Sequence, residues 1–596
     1  MKADDLILVS IDDHVVEPPD MFLRHVPAKY RDEAPIVVTD DKGVDQWMYQ
    51  GRPQGVSGLN AVVSWPAEEW GRDPAGFAEM RPGVYDVHER VRDMNRNGIL
   101  ASMCFPTFTG FSARHLNMHR EEVTLVMVSA YNDWHIDEWA GSYPDRFIPI
   151  AILPTWNPEA MCAEIRRVAA KGCRAVTMPE LPHLEGLPSY HDEDYWGPVF
   201  RTLSEENVVM CLHIGTGFGA ISMAPNAPID NMIILATQVS AMCAQDLLWG
   251  PAMRNYPDLK FAFSEGGIGW IPFYLDRSDR HYTNQKWLRR DFGSQLPSEV
   301  FREHSLACYV TDKTSLKLRH EIGIDIIAWE CDYPHSDCFW PDAPEQVLAE
   351  LTAAGADDAD INKITWANAC RFFSWDPFAR TPRDQATVKA LRARALDVDV
   401  SIRSRAEWAR RYHEKQLAGR RRRGGAAAAG AAAAGAAAAA QPPRAQPPRE
   451  RALSFTLGAE RETSFTLGGV MPYDCGSWGG GRYSGWYPDT WIGLPTRRNS
   501  PAVTTTSGVA SSASGSVLTA AAGTPSGRSR RSHPAALSVA SIAVTTASTS
   551  SRRATRSAMV SNPPIPASAA NDFQKPSWVM NSARYPSAVG NSCAGT

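Results

Sequence analysis

Four residues near the ends of three apolar runs, Asp12, His14, His213 and Asp332, are of the types that bind divalent cations or move protons. The first run, "LVSIDDHVVEPP" at 8 to 19, breaks off an apolar stretch with two aspartates, a histidine and a glutamate before Pro18 and Pro19. Successive side chains of a strand point to opposite faces, so Asp12 and His14 share one face and Asp13 takes the other. The alternative is a strand that simply runs out into a polar turn. "VVMCLHIGTGFG" carries His213 ahead of a glycine-rich turn, and "IIAWECDYPHSDCFWP" carries Asp332, His335 and Asp337. Two imidazoles and two carboxylates form a ligand set suited to zinc, with manganese as the alternative. Taken singly, His213 reads equally as a hydrogen-bonded core histidine and Asp332 as a turn former.

These residues converge only if the chain brings strand ends together. Eight short apolar runs recur: "LILVSI" at 6 to 11, "ILASMCF" at 99 to 105, "FIPIAIL" at 147 to 153, "CRAVTM" at 173 to 178, "VVMCLHI" at 208 to 214, "LKFAFS" at 259 to 264, "LACYVT" at 306 to 311 and "IDIIAWE" at 324 to 330. Helix candidates lie between them, such as "VHERVRDMNRNG" ending at Gly98 and "PEAMCAEIRRVAAKG" ending at Gly172. Near-continuous apolar strands alternating with helices predict a parallel α/β sheet, and eight units predict a (β/α)8 TIM barrel whose strand ends ring one mouth. A doubly wound sheet is the alternative, although no G-x-G-x-x-G follows the first strand. The segment 18 to 86 reads as a lid insertion after the first strand. Its Trp47, Tyr49, Trp65, Trp70 and Phe77 either face the site or form the insertion's own small core.

Composition divides the 596-residue chain at about residue 415. Residues 420 to 596 hold 19 Lys and Arg against 6 Asp and Glu; the whole chain has 61 and 66, which leaves 42 and 60 for residues 1 to 419. The tail, 416 to 596, opens on four arginines and an alanine-glycine run, and continues rich in Ser, Thr, Ala, Pro and Arg; it reads as disordered low-complexity sequence. A solvated charge run is the expected role of the arginines, so no nucleic-acid partner is predicted. The N-terminus "MKADDLILVS" resembles neither a secretory nor a transit peptide, and no run of 18 strongly apolar residues suggests a membrane span. Cytoplasmic residence, a small-molecule substrate and a possible homo-oligomer are the expectations. The 11 scattered cysteines, without a C-x-x-C pair, fit reduced thiols.

"SIDDHVVEPP", "LHIGTG", "SEGGIGWIPFYLDR" and "CDYPHSD" resemble the amidohydrolase-related family, which includes aminocarboxymuconate semialdehyde decarboxylase and the resorcylate-type decarboxylases. The resemblance spans roughly residues 6 to 380. It implies metal ligands at Asp12, His14, His213 and Asp332. Where some members have a second histidine on the first strand this chain has Val16, so Asp12 supplies that ligand or Glu17 reaches in. No lysine ends "CRAVTMPE", so a single-metal site is expected rather than one bridged by a carbamylated lysine.

The chemistry implied is hydrolysis by a metal-activated water, with Asp332 taking its proton and returning it to the leaving group. His335 orients or polarises the substrate, or else fixes Asp332. Non-oxidative decarboxylation of an aromatic or unsaturated carboxylic acid is the alternative. It ranks second because "FSEGG" stands where the decarboxylases carry a histidine after the sixth strand, although Glu265 can substitute there as acid or base. Trp270 and Trp340 are candidate substrate contacts, whereas Arg277 suits a structural salt bridge. Cys331 and Cys338, flanking "DYPHSD", are not expected to be ligands.

Overall fold

The computed structural model describes residues 1–418 apart from 118, 119 and 289. All of them lie in the first of two compact units, Met1–Leu494. Beyond 418, the low-complexity segment expected from composition lies outside the described residues.

Each of the eight apolar runs forms a strand. In chain order the strands are β1 (Val9–Val15), β2 (Ile36–Thr39), β3 (Asp45–Tyr49), β4 (Arg52–Val56), β5 (Ala101–Pro106), β6 (Ile150–Ile152), β7 (Ala175–Met178), β8 (Val209–His213), β9 (Phe261–Ser264), β10 (Ser305–Tyr309) and β11 (Ile327–Trp329). β1 pairs with β5, and β6 to β11 pair successively, all in parallel. Ser102 bridges the two sheets, donating its N–H to Arg146 O and accepting from Ile148 N, both at 3.0 Å. At the other edge Asp332 N donates to Asp12 O at 2.9 Å and His14 N to Tyr333 O at 2.7 Å. The last strand's extension is thereby tied to the first.

Alternation sorts the side chains. Val9, Ile11, Ala101, Met103, Phe105, Val209, Cys211, Ala262, Leu306, Cys308 and Ala328 form one buried cluster. Leu8, Val176, Met178, Met210, Leu212 and Phe263 join a second with the surrounding helices. Full burial of each large aliphatic side chain contributes about 2 kcal/mol. The helices start and stop where the sequence predicts. Asp86 caps Val87–Asn97 by accepting from His88 N and Glu89 N, and Gly98 ends it at φ +78°, a conformation that costs glycine little. Asn157 likewise caps Pro158–Ala170.

The insertion after β1 carries the antiparallel sheet β2–β3–β4. Trp47 stacks on Phe108 at 4.4 Å, and Trp47, Tyr49, Trp65 and Phe77 are buried while Trp70 is exposed. Trp47, Tyr49 and Phe77 therefore join the large cluster beneath the helices rather than a separate core of the insertion, and Trp65 packs with Val62 and Trp408. The insertion's backbone also grips the segment after β11, since Val62 N and Val63 N both donate to Pro334 O, at 3.1 and 3.0 Å. The chain returns to this insertion near its described end: Arg403 N donates to Ser64 O at 2.8 Å, Arg405 N to Glu69 Oε2 at 2.9 Å, and Trp408 packs with Val62 and Trp65.

Beside that clasp, Arg81 and Asp93 form a buried pair with N–O distances of 2.6 and 2.7 Å, and Asp93 also accepts from Tyr333 OH at 2.7 Å. Removing one member of such a pair strands the other charge in the core. Asp93→Ala is expected to cost about 3 kcal/mol or more of stability, visible as a lower urea midpoint.

The nine cysteines among the described residues are all free. Helix Ile229–Trp249 is long and apolar enough, by length and composition alone, to cross a membrane.

Candidate metal centre

Strict alternation from Val9 and Ile11 would turn Asp13 inward and leave Asp12 and His14 outside. A bulge between Ser10 and Asp13 shifts the register of β1 on β5 and reverses the phase. Ile11 and Asp12 are consequently both interior. Asp13 faces outward, where its carboxylate accepts from Ser10 Oγ at 3.1 Å, Tyr333 N at 2.9 Å and Ser102 Oγ.

The structure brings Asp12, His14, His213 and Asp332 together. His213 Nε2 is 3.1 Å from His14 Nε2 and 3.4 Å from Asp12 Oδ2; His14 Nε2 is 3.7 Å from Asp12 Oδ1 and 3.4 Å from Asp332 Oδ1. None of the four is more than 3% exposed. His213 Nδ1 lies 2.6 Å from Ile214 O, so it carries the proton and leaves the Nε2 lone pair for the centre. Both Asp12 carboxylate oxygens and Asp332 Oδ1 are fully buried without an aligned hydrogen bond. A buried carboxylate left so is costly. A divalent cation among these atoms would satisfy all three oxygens and both imidazole nitrogens, so the residues present fit that group.

Electrostatics point the same way. Burial, reinforced by Glu265 and Asp332, pushes the Asp12 carboxyl well above its usual range, and burial raises Asp332 likewise. Burial, then the neighbouring His335 and His213, holds His14 well below an ordinary histidine. A cation would relieve the two crowded carboxylates, and His14, held neutral, keeps a lone pair for it.

Glu265 and His335 join this group. Glu265 follows β9 at φ +55° and sets its carboxylate 3.3 Å from His213 Nε2. Its side chain is 26% exposed, so it stands at the mouth of the cluster while the four central residues are sealed. Burial and the charge of Asp332 push its carboxyl up to about 8. His335 stacks on His14 with ring centroids 4.0 Å apart, and its Nδ1 lies 2.8 Å from Asp332 Oδ1; burial lowers it to about 4. Phe105 and Phe111 wall His213 at ring distances of 4.9 and 4.2 Å.

Other expected contacts fall elsewhere. Glu17 is engaged by Thr107 N at 3.2 Å and Phe108 N at 2.9 Å, which leaves Asp12 as the acid of β1 at the centre. Trp270 is a packing residue: it lies against Phe263 and Phe301 and donates to Gly266 O at 3.1 Å, because Phe263 points out of the strand ring toward the helices. Trp340 carries the Arg81 guanidinium 4.1 Å above its ring and so belongs with the Arg81–Asp93 pair. Arg277 is exposed on the helix Trp270–Asn284. Cys331 joins the outer cluster, facing away from Asp332.

Two buried acids escape the sequence reading. Glu180, after β7, accepts from Gly217 N at 3.2 Å and Ser240 Oγ at 3.1 Å, and burial pushes it up to about 8. Glu330, after β11, accepts from Glu265 N at 3.1 Å and from Cys308 Sγ. Its only sequence signal is an acid at the end of an apolar run, two residues before Asp332.

A family model described as amidohydrolase matches residues 25–375, a span that holds His213, Glu265, Asp332 and His335 and begins after Asp12 and His14. Among solved structures, the amidohydrolase map2389c from Mycobacterium avium subsp. paratuberculosis K-10 is 22% identical with a TM-score of 0.50, covering 62% of this chain and 99% of that one. IDCase from Metarhizium anisopliae is 18% identical with a TM-score of 0.45, covering 63% and 98%. A dihydroxybenzoic acid decarboxylase from Polaromonas sp. JS666, solved with bound manganese and 2-nitroresorcinol, is 18% identical with a TM-score of 0.43, covering 63% and 98%.

Proposed function

Because the chain belongs to the amidohydrolase family, we propose that it is a single-metal enzyme on a (β/α)8 barrel that releases CO₂ from a small aromatic or unsaturated carboxylic acid. Hydrolysis ranks first on sequence because no histidine follows the sixth barrel strand. The observation that reverses the order is the position of Glu265, whose carboxyl reaches the centre 3.3 Å from His213 Nε2. An acid therefore stands where the missing histidine would act.

Asp12, His14, His213 and Asp332 would hold one divalent cation, zinc or manganese, which when bound supplies a positive charge for a substrate carboxylate and a neighbouring oxygen. Phe105 and Phe111 supply apolar walls for a planar ring and exclude water from beside His213. Glu265, raised toward neutrality by burial, holds the proton that the reaction consumes. It delivers that proton to the carbon bearing the carboxylate; the bond to CO₂ then breaks, its electron pair restores the unsaturated system, and solvent returns a proton to Glu265. His335, kept neutral and stacked on His14, orients the substrate oxygens beside Asp332.

Hydrolysis is the second reading, favoured by Asp332, whose buried carboxylate beside His335 suits the base that takes a proton from water. The full chain, purified without chelator, should be offered 2-hydroxybenzoates and unsaturated carboxylic acids for CO₂ release, alongside esters, lactones and amides. Cation-dependent CO₂ release is the expected result. Cleavage confined to the esters, lactones or amides would replace this reading by the hydrolytic one.

A further inference from the structure

We propose that Glu330 acts on the centre through Glu265, as the positioning residue that aims it. The inference rests on Glu265 acting there as acid or base.

β11 and its extension turn Ala328, Glu330 and Asp332 to the same face. Glu330 thus lies one layer below Asp332, buried beside Cys308 and Asp12. A carboxyl in this layer, 1% exposed, costs free energy that an aliphatic residue would not. The next strand and the turn after the one beyond it engage it: Cys308 Sγ of β10 donates to Oε2, and so does the backbone N–H of Glu265, just past β9, at 3.1 Å.

The second bond matters because of the conformation it holds. Glu265 lies in the left-handed region at φ +55°, which costs a side-chain-bearing residue about 1 kcal/mol. The following turn has no slack: a Cβ on Gly266 would fall 2.6 Å from Ser240 Oγ, and Gly267 sits at φ +63°. The Glu265 peptide is thus pinned from inside the barrel by Glu330, and its side chain is thrown toward His213 Nε2. Without an acceptor at Glu330 that buried N–H goes unsatisfied and the peptide keeps only the bond from Ile214 N to Ser264 O, at 3.3 Å, so it can tilt; a misplacement of about 1 Å in a reacting group costs roughly 10²-fold in rate.

Glu330→Met removes the acceptor at similar size, and Glu330→Gln keeps a carbonyl oxygen in its place. With the full-length enzyme and the acid that gives most CO₂, Glu330→Met is expected to lower kcat about 10²-fold with KM within about 2-fold and metal content unchanged. Glu330→Gln is expected to recover to within about 5-fold of wild type. If Glu330 acts through Glu265, adding Glu330→Met to Glu265→Gln causes little further loss. Wild-type kcat in Glu330→Met, an equal loss in Glu330→Gln, or additive losses in the double variant would each overturn the proposal, as would loss of metal. Should wild-type enzyme release no CO₂, the parent reading fails on its own. A crystal structure of Glu330→Met then decides the positioning role: Glu265 turned away from His213 supports it, and an unmoved Glu265 overturns it.

Discussion

Asp332→Asn and His213→Ala are each expected to lower metal content from about one per chain toward zero, and turnover by at least ~10³-fold, with the fold intact. His213 offers Nε2 to the centre because its other nitrogen is committed to Ile214 O. Asp332 sits at φ +59° with Oδ1 buried between His14 Nε2, at 3.4 Å, and His335 Nδ1, at 2.8 Å, a strained placement that a cation there would stabilise. Neither substitution empties the hydrophobic clusters, so circular dichroism and the melting transition should remain near wild type. Elemental analysis is the deciding measurement, and wild-type metal content in either variant would sink the ligand assignment.

The second large effect is expected at Glu265. Glu265→Gln should retain metal and lower kcat by 10² to 10⁴-fold, the range for loss of a positioned proton donor. The pH dependence has a definite sign. A donor must be protonated, and burial raises this carboxyl above its ordinary range, so wild-type kcat should fall as pH rises through the point at which Glu265 ionises. The Gln variant should lack that alkaline limb. A profile unchanged by the substitution would assign the proton to another group.

The eight strands were legible because each is a short apolar run bounded by a turn signal, and parallel strands covered on both faces need nothing subtler. The four central residues were legible because strand ends in such a fold share one mouth. What the sequence hides is phase. Nothing in "LVSIDDHVV" announces the bulge that makes Ile11 and Asp12 interior neighbours, since it depends on β5 and on the bonds Asp13 makes to Ser102 and Tyr333 N. Glu330 was missed for a related reason: an acid in a small apolar layer becomes meaningful only through the peptide of Glu265, which arrives from another strand. Residue type alone suggests Trp270 and Trp340 as substrate contacts, but the packing of Phe263 and the charge of Arg81 engage them instead.

The clasp of the chain's return segment on the insertion bears on when the enzyme becomes competent. Pro334 O, between Asp332 and His335, is held by Val62 and Val63, and those residues are backed by Trp408 and by the bond from Arg403 N to Ser64 O. During synthesis the ribosome releases Asp12, His14, His213 and Asp332 well before it releases Trp408. A nascent chain can therefore close its ring of strands and still lack the last brace on the loop that carries His335. Maturation of the site would then be a late event, set by the arrival of residues that never approach the chemistry.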